Sequence, residues 1–283
     1  MLKDRERLFF EEIRKWEKEL AYDQRSDFHR TYDYWVEKGF ERIPSNIRKK
    51  LFHQLDHFLF YGHSFIQNSN WQSESRNRLI SSARILKPSI DTIQDLQELP
   101  IEQLRYLADM QMSKHRLASL TQGAITGTGG MLLIGMDIPL QLVINLRAIQ
   151  MIAMSYGNEV NTPFEMMLSL KVFHASLLPS YLTHREWNKL KEEISEHSDN
   201  PYFYNGDERL SSEQTLKTIT NQIAKLLLIQ AVKRKTLQSI PFLGIGVGAR
   251  MNYQLTKRST TFAQRFYEYR ALQNKYREDE NVG

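Results

Sequence analysis

The sequence predicts an all-α protein: a multi-helix bundle with glycine-rich, tightly packed apolar helices and a long, amphipathic, basic C-terminal helix. Three observations carry that expectation. Helix start and stop signals recur along the chain, while period-two strand runs are nearly absent. The segment 138–156 is apolar around its whole circumference, as a helix buried in protein or in lipid must be. The composition, 41% hydrophobic with 25% charged residues, suits a folded chain of 283 residues with one large core or two modest ones.

The elements follow in order. Residues 1–100 read as an N-terminal helical region in short pieces, broken near Gly39, Pro44, Asn68 to Trp71 and Pro88, with one helix bearing Trp16. Its opening, MLKDRERLFFEEIRKWEKEL, mixes charges of both signs, so no secretory signal is expected. Residues 101–283 read as a helical core forming one compact unit. Pro100 precedes IEQLRYLADMQMSKHRLASL, whose Leu104, Leu107, Met112 and Ala118 recur at roughly helical spacing. Asp137-Ile138-Pro139 reads as a helix start with Asp137 as N-cap, and Gly157 as a left-handed stop after Tyr156. Thr162-Pro163-Phe164-Glu165 is a capping box with proline at the first helical position. Residues 184–210 are polar, with a turn at Asp199-Asn200-Pro201, and are expected to be a surface excursion. Ser211-Ser212-Glu213-Gln214 opens a helix to about Gln238, interrupted by Pro241, and a last helix is expected from about Gly246 to Arg277.

Leu117 to Met136 is a run of twenty uncharged residues, five of them glycine. A phosphate loop would need Lys-Ser/Thr after its last glycine and a preceding strand. Here Met131-Leu132 follow Gly129-Gly130, no GxGxxG spacing occurs, and no strand precedes. A membrane span needs about twenty mostly apolar residues, and only ten of these twenty are apolar. Close helix packing fits best. Gly123 and Gly127 lie one turn apart, and the second small-residue stretch, Gly244 to Ala249, supplies a partner.

The polar residues of the apolar helices are the candidate site. Gln141 and Asn145 form a narrow line one turn apart, and Arg147 projects from the opposite side. A buried guanidinium must find a carboxylate or a phosphate surface, and Glu165 or Asp137 is the expected partner. With Asn252 of the last helix, these residues define an expected ligand-binding or structural network of Asp137, Gln141, Asn145, Arg147 and Asn252. The last helix sorts into an apolar strip (Met251, Leu255, Phe262, Phe266, Tyr269), a small strip (Gly248, Asn252, Ser259, Ala263) and a basic strip (Arg250, Lys257, Arg258, Arg265, Lys275). From Lys225 to Arg277 there are eleven Lys/Arg against one acid, Glu268, a local +10, so the remainder carries −5 of the total +5. An anionic partner follows. Lys233, Arg234, Lys235, Arg250, Lys257, Arg258 and Arg265 are the candidate membrane or anion surface. No groove-reading motif accompanies them, so nucleic acid is not expected.

Gly127…Gly130, Asp137-Ile138-Pro139, Asn145-Leu146-Arg147, Tyr156-Gly157, Ile240-Pro241…Gly244…Gly248-Ala249…Asn252 and Ala263…Arg270-Ala271-Leu272 together resemble the EcsC family. The resemblance covers residues 103–272 and rests on the order and spacing of these parts. It implies a bacterial protein associated with an ABC transporter, and it carries no catalytic residues.

Catalytic candidates are few. Zero cysteines exclude disulfides and thiolate metal sites. His53-Gln54-Leu55-Asp56-His57, with His63, resembles a metalloprotease pattern and is the alternative metal site. Asp137, Glu165 and Arg147 are the alternative acid/base constellation. The expectation is a non-enzymatic, cofactor-free accessory protein on the cytoplasmic membrane face, binding anionic or acyl lipid or ABC transporter subunits. A hydrolase is the alternative.

Overall fold

The computed structural model describes residues 4–22, 70–126, 131–178, 180–198 and 243–282, with isolated positions at 45, 49, 222–223 and 226. The protein is all-α, as its helix signals require. Among the described residues seven helices run α1 (Asp4–Tyr22), α2 (Asn70–Leu86), α3 (Ile101–Thr126), α4 (Met131–Ser155), α5 (Pro163–Leu177), α6 (Ser180–Ser198) and α7 (Leu243–Val282), with a short 3-10 turn at Gln94–Glu98. Among the described residues there is no strand, and no helix is long and apolar enough to cross a membrane.

The longest helix, α7, is the axis against which α1, α3, α4 and α5 pack. Its register with α3 is antiparallel. Arg105 meets Glu268, Asp109 meets Gln264, Arg116 meets Thr260, and Ser119 meets Thr256. The reason lies in the small strip: Asn252, Thr256, Ser259, Thr260 and Ala263 are all completely buried. Short side chains let neighbouring helices approach closely, and their hydroxyls then pair across the interface instead of with water. The apolar strip beside it closes an aromatic cluster. Trp187 of α6, fully buried, packs edge-on against Trp16 of α1 and against Phe262, Phe266 and Tyr269 of α7, with centroids 4.9 to 6.0 Å apart. Its indole N–H donates to Glu17 of α1. By this route α1 shares one core with the helices that follow Pro100.

Local signals place the turns. Thr162 caps α5 by accepting from the Glu165 N–H at 3.2 Å, with Pro163 opening the helix. Gly157 ends α4 at φ +77°, where its N–H bonds Met154 O and the Asn158 N–H bonds Ala153 O. That is a Schellman closure, which needs a left-handed residue at this position.

Two expectations are corrected. Asp137 is not an N-cap: α4 begins at Met131, so Asp137 sits in its second turn and Pro139 in its interior. Met131, Leu132 and Leu133 are strong helix formers and carry the helix upstream past the Asp-x-Pro signal. The polar stretch from 184 is no excursion up to Ser198. It is α6, with Thr183, Trp187, Leu190 and Ile194 buried at three- to four-residue spacing along one face. Residues 199–210 and the expected helix start at Ser211 lie outside the described residues, as do Gly127 and the glycine packing proposed for it. The last helix extends beyond the expected 246–277 at both ends.

A side chain at position 157 faces two penalties. The left-handed φ strains any L residue, and a Cβ there would lie 2.4 Å from Gln97 Cγ. Gly157→Ala is therefore expected to lower stability by about 1–3 kcal/mol, read as a drop in urea midpoint at unchanged slope. An unaltered midpoint would mean that the closure of α4 is not fixed in this form.

Candidate functional site

Where α3, α4 and α7 meet, the buried polar residues form a seam. Gln141 of α4 donates to Thr256 of α7 at 3.3 Å, and Thr256 donates to Ser119 of α3 at 2.7 Å. Asn145 turns its amide back to the Gln141 carbonyl at 2.7 Å. Arg116 forks between Thr260 and Thr261, both at 3.0 Å. On the α5 side, Ser176 bonds Ser259 at 3.0 Å. Thus Gln141, Asn145 and Asn252 of the expected network are buried together, one turn apart along the same helix contact. The Asp137 side chain lies outside the described residues.

The other expected contacts are rearranged. Glu165 pairs with Arg270 of α7, not with Arg147. Arg147 stands eight residues, about 12 Å along the axis, before the end of α4. It lies beside His115 of α3, and burial lowers its pKa. Glu165 and Arg147 are therefore held at different levels of the bundle, which leaves the acid/base constellation unassembled. His53, His57 and His63 lie outside the described residues, among which no group of side chains could hold a metal.

The basic strip divides. Arg250 and Lys257 are exposed. Arg258, also exposed, donates to the Leu178 carbonyl at the end of α5. Lys275 donates to the Gln97 carbonyl at 2.8 Å. Arg265 is corrected: it is not part of an open anion surface, because it bonds Glu12 at 3.2 Å and approaches Glu268 at 3.5 Å. Lys233, Arg234 and Lys235 lie outside the described residues.

Arg265 belongs to a cluster that composition concealed. Glu268, completely buried, receives Arg105 in two parallel bonds of 2.6 and 2.8 Å. Arg105 also reaches Glu12 of α1 at 2.9 Å and stacks its guanidinium 3.9 Å over the Phe9 ring. Burial raises the Glu268 pKa while Arg105 opposes the rise. Burial likewise works against the Arg105 charge, but the two carboxylates outweigh it and raise its pKa. One signal was available in the sequence: Glu268 is the sole acid in a run with eleven cations, and such a residue is there for a partner.

The register also sorts charge along the bundle. Residues 110–126 of α3, 131–155 of α4 and 243–264 of α7 lie side by side, with six Lys/Arg between them against the single acid Asp137. At this end Leu117, Leu120 and Leu140 are 64%, 39% and 46% exposed.

Comparison with known proteins gives a family and one relative. The family described as the EcsC protein family matches residues 8–272. The chain is similar to the uncharacterized protein YdbA of Bacillus subtilis (strain 168), 26% identical over 167 residues. The match covers 56% of this chain and 57% of that protein, so the chain spans a little over half the length of this relative. No solved structure matches.

Two outcomes test the site. Glu268→Gln strands Arg105 in the interior and is expected to cost about 3–5 kcal/mol in urea denaturation, whereas Glu12→Gln, at a half-exposed position, costs about 1 kcal/mol or less. Equal effects would remove Glu268 from its central place. The second concerns pH. Burial, and after it the Arg147 and Lys114 charges, press His115 down to about 4. Because the unfolded chain takes up that proton near 6.5, the contribution is complete above this pH and is lost as pH falls toward 4. His115→Gln should lose less stability than the parent between pH 7 and pH 4.5. Identical losses would place His115 in an ordinary environment.

Proposed function

The chain belongs to the EcsC protein family, and from that premise we propose that it is a non-enzymatic accessory protein which binds anionic lipid at the cytoplasmic membrane face, beside subunits of an ABC transporter. One observation carries the reading: the acid-poor C-terminal part of α3 and N-terminal half of α7 lie together beside α4, where cations and exposed leucines stand near one another. Anionic head groups attract the Lys and Arg side chains, and shallow burial of leucine adds an apolar term. Peripheral attachment of this kind needs no membrane span. Salt weakens it, since the attraction is screened within about 10 Å at 0.1 M ionic strength. The transporter subunits enter through the family alone, as the protein partner expected at the same membrane face.

The test is co-sedimentation with phosphatidylglycerol vesicles. Binding is expected at low salt, with release as salt is raised. Arg250→Gln combined with Lys257→Gln removes two surface cations, each contributing about 1 kcal/mol, and should weaken binding about thirtyfold. Helical content should not change, because both side chains are exposed. Failure of the parent protein to bind anionic vesicles at low salt would end the proposal.

A further inference from the structure

On the far side of α3 from α7, a cleft of about 360 Å³ opens between α2, α3 and α4. At 100° per residue, Gln111, Lys114, His115 and Ala118 lie half a turn around α3 from Arg105, Asp109, Arg116 and Ser119, which face α7. The cleft therefore opens on the flank of the acid-poor end and shares Lys114 with it, on a side of α3 turned away from α7. Its volume falls in the range of small-molecule sites, ~300–1,000 Å³.

The floor is buried and polar. Gln111 is 6% exposed, and its amide makes no hydrogen bond among the described residues. Ser75 of α2 is 5% exposed; it accepts a long 3.5 Å contact from Arg78, and its own hydroxyl proton has no acceptor among the described residues. Neither the Gln111 amide nor the Ser75 proton is committed to a partner among the described residues, and both line the cavity, where an acceptor can meet them. Above them stand the cations. Beyond the long contact to Ser75, Arg78 is engaged by Glu74 one turn away on α2, a 3.6 Å pair between exposed groups that is worth little. Lys114 is exposed and has no ion pair among the described residues. Arg147 of α4 lies near His115. Among the described residues no carboxylate lines the cavity, and Met151 with Ala118 supplies an apolar wall.

We propose that this cleft binds a phosphate group carried on a small organic body, held by Ser75, Gln111, Arg78 and Lys114. The donors come from two helices, at the floor and at the rim. A tetrahedral anion with three or more free oxygens can meet all four, whereas a planar carboxylate offers two oxygens. The apolar wall takes the organic part. The group has two possible sources, a soluble phosphate monoester or the monoester head group of phosphatidic acid, and both present three unesterified oxygens to the cleft.

The probes are inorganic phosphate, glycerol 3-phosphate and vesicles containing phosphatidic acid, each titrated against the full chain. Arg78→Gln and Gln111→Leu are each expected to weaken binding at least tenfold, while Arg250→Gln with Lys257→Gln leaves soluble phosphate binding unchanged. Loss confined to glycerol 3-phosphate and inorganic phosphate identifies a soluble ligand. Loss confined to vesicles, with no soluble binding, identifies a head group. Gln111→Leu also carries its own control for folding. It removes an amide that makes no hydrogen bond among the described residues, so the free protein should melt at about the parent's temperature even as binding is lost. If the three probes bind the parent, Arg78→Gln and Gln111→Leu alike, or bind none of them, the cleft is not a phosphate site. Because the soluble titrations involve no membrane, their failure alone leaves the vesicle proposal standing on its own test.

Discussion

A carboxylate with no access to water, Glu268, fixes the arrangement of this molecule. Its charge is tolerable only where Arg105 and Arg265 meet it, and it therefore has one acceptable position along α3. A shift of α7 by one turn would strand a charge on each side of the interface. The hydroxyl contacts of Ser119, Thr256, Arg116 and Thr260 are in step with that position and become possible because of it. Apolar packing alone would hold the helices together, but leucines and alanines slide past one another at little cost. The ion cluster supplies the register, and the small residues supply the closeness.

From that register the remaining geography follows. With α3 antiparallel to α7, the C-terminal part of α3 lies beside the N-terminal half of α7, and acids lie toward the other end, in the Glu165–Arg270 and Glu159–Arg76 pairs. With one face of α3 committed to α7, its opposite face is free to form the wall of a cleft against α2 and α4. Polar burial is handled differently on the two faces. Along the seam, hydroxyls answer hydroxyls, while Gln141 Oε1 and Asn145 Oδ1 are sealed in without a hydrogen bond among the described residues. In the cleft, Ser75 meets only the long contact from Arg78, and the Gln111 amide opens on the cavity.

Much of the architecture was legible in the chain. The Thr162 cap, the left-handed Gly157 and the small strip of α7 were each fixed by short-range chemistry, and they hold in three dimensions as they read in one. What could not be read was the choice of partner. Glu165 was legible as a capping-box acid, yet only the fold decides that its carboxylate turns to Arg270. Arg265 looked like one more cation on a basic strip until α1 brought Glu12 beside it. Trp187 was masked by its polar neighbours, since α6 is charged on every face but one. Asp137 misled because a proline two residues later is a helix start only when the residues before it cannot continue the helix. In the cleft, Ser75, Gln111 and Lys114 carry no motif at all, because their juxtaposition is made by three helices.

The Arg105–Glu268 pair has a consequence for the birth of the protein. The two residues are separated by 163 positions. At ribosomal speeds of about 5–20 residues per second, roughly 8–30 s pass between their syntheses. Throughout that interval α3 exists without the helix that neutralises its arginine and covers its small-residue face. The bundle therefore cannot be completed progressively from its first helices. The emerging chain must be kept from foreign hydrophobic contacts until α7 arrives, and a stall or truncation before Glu268 would release a polypeptide with its central groove open.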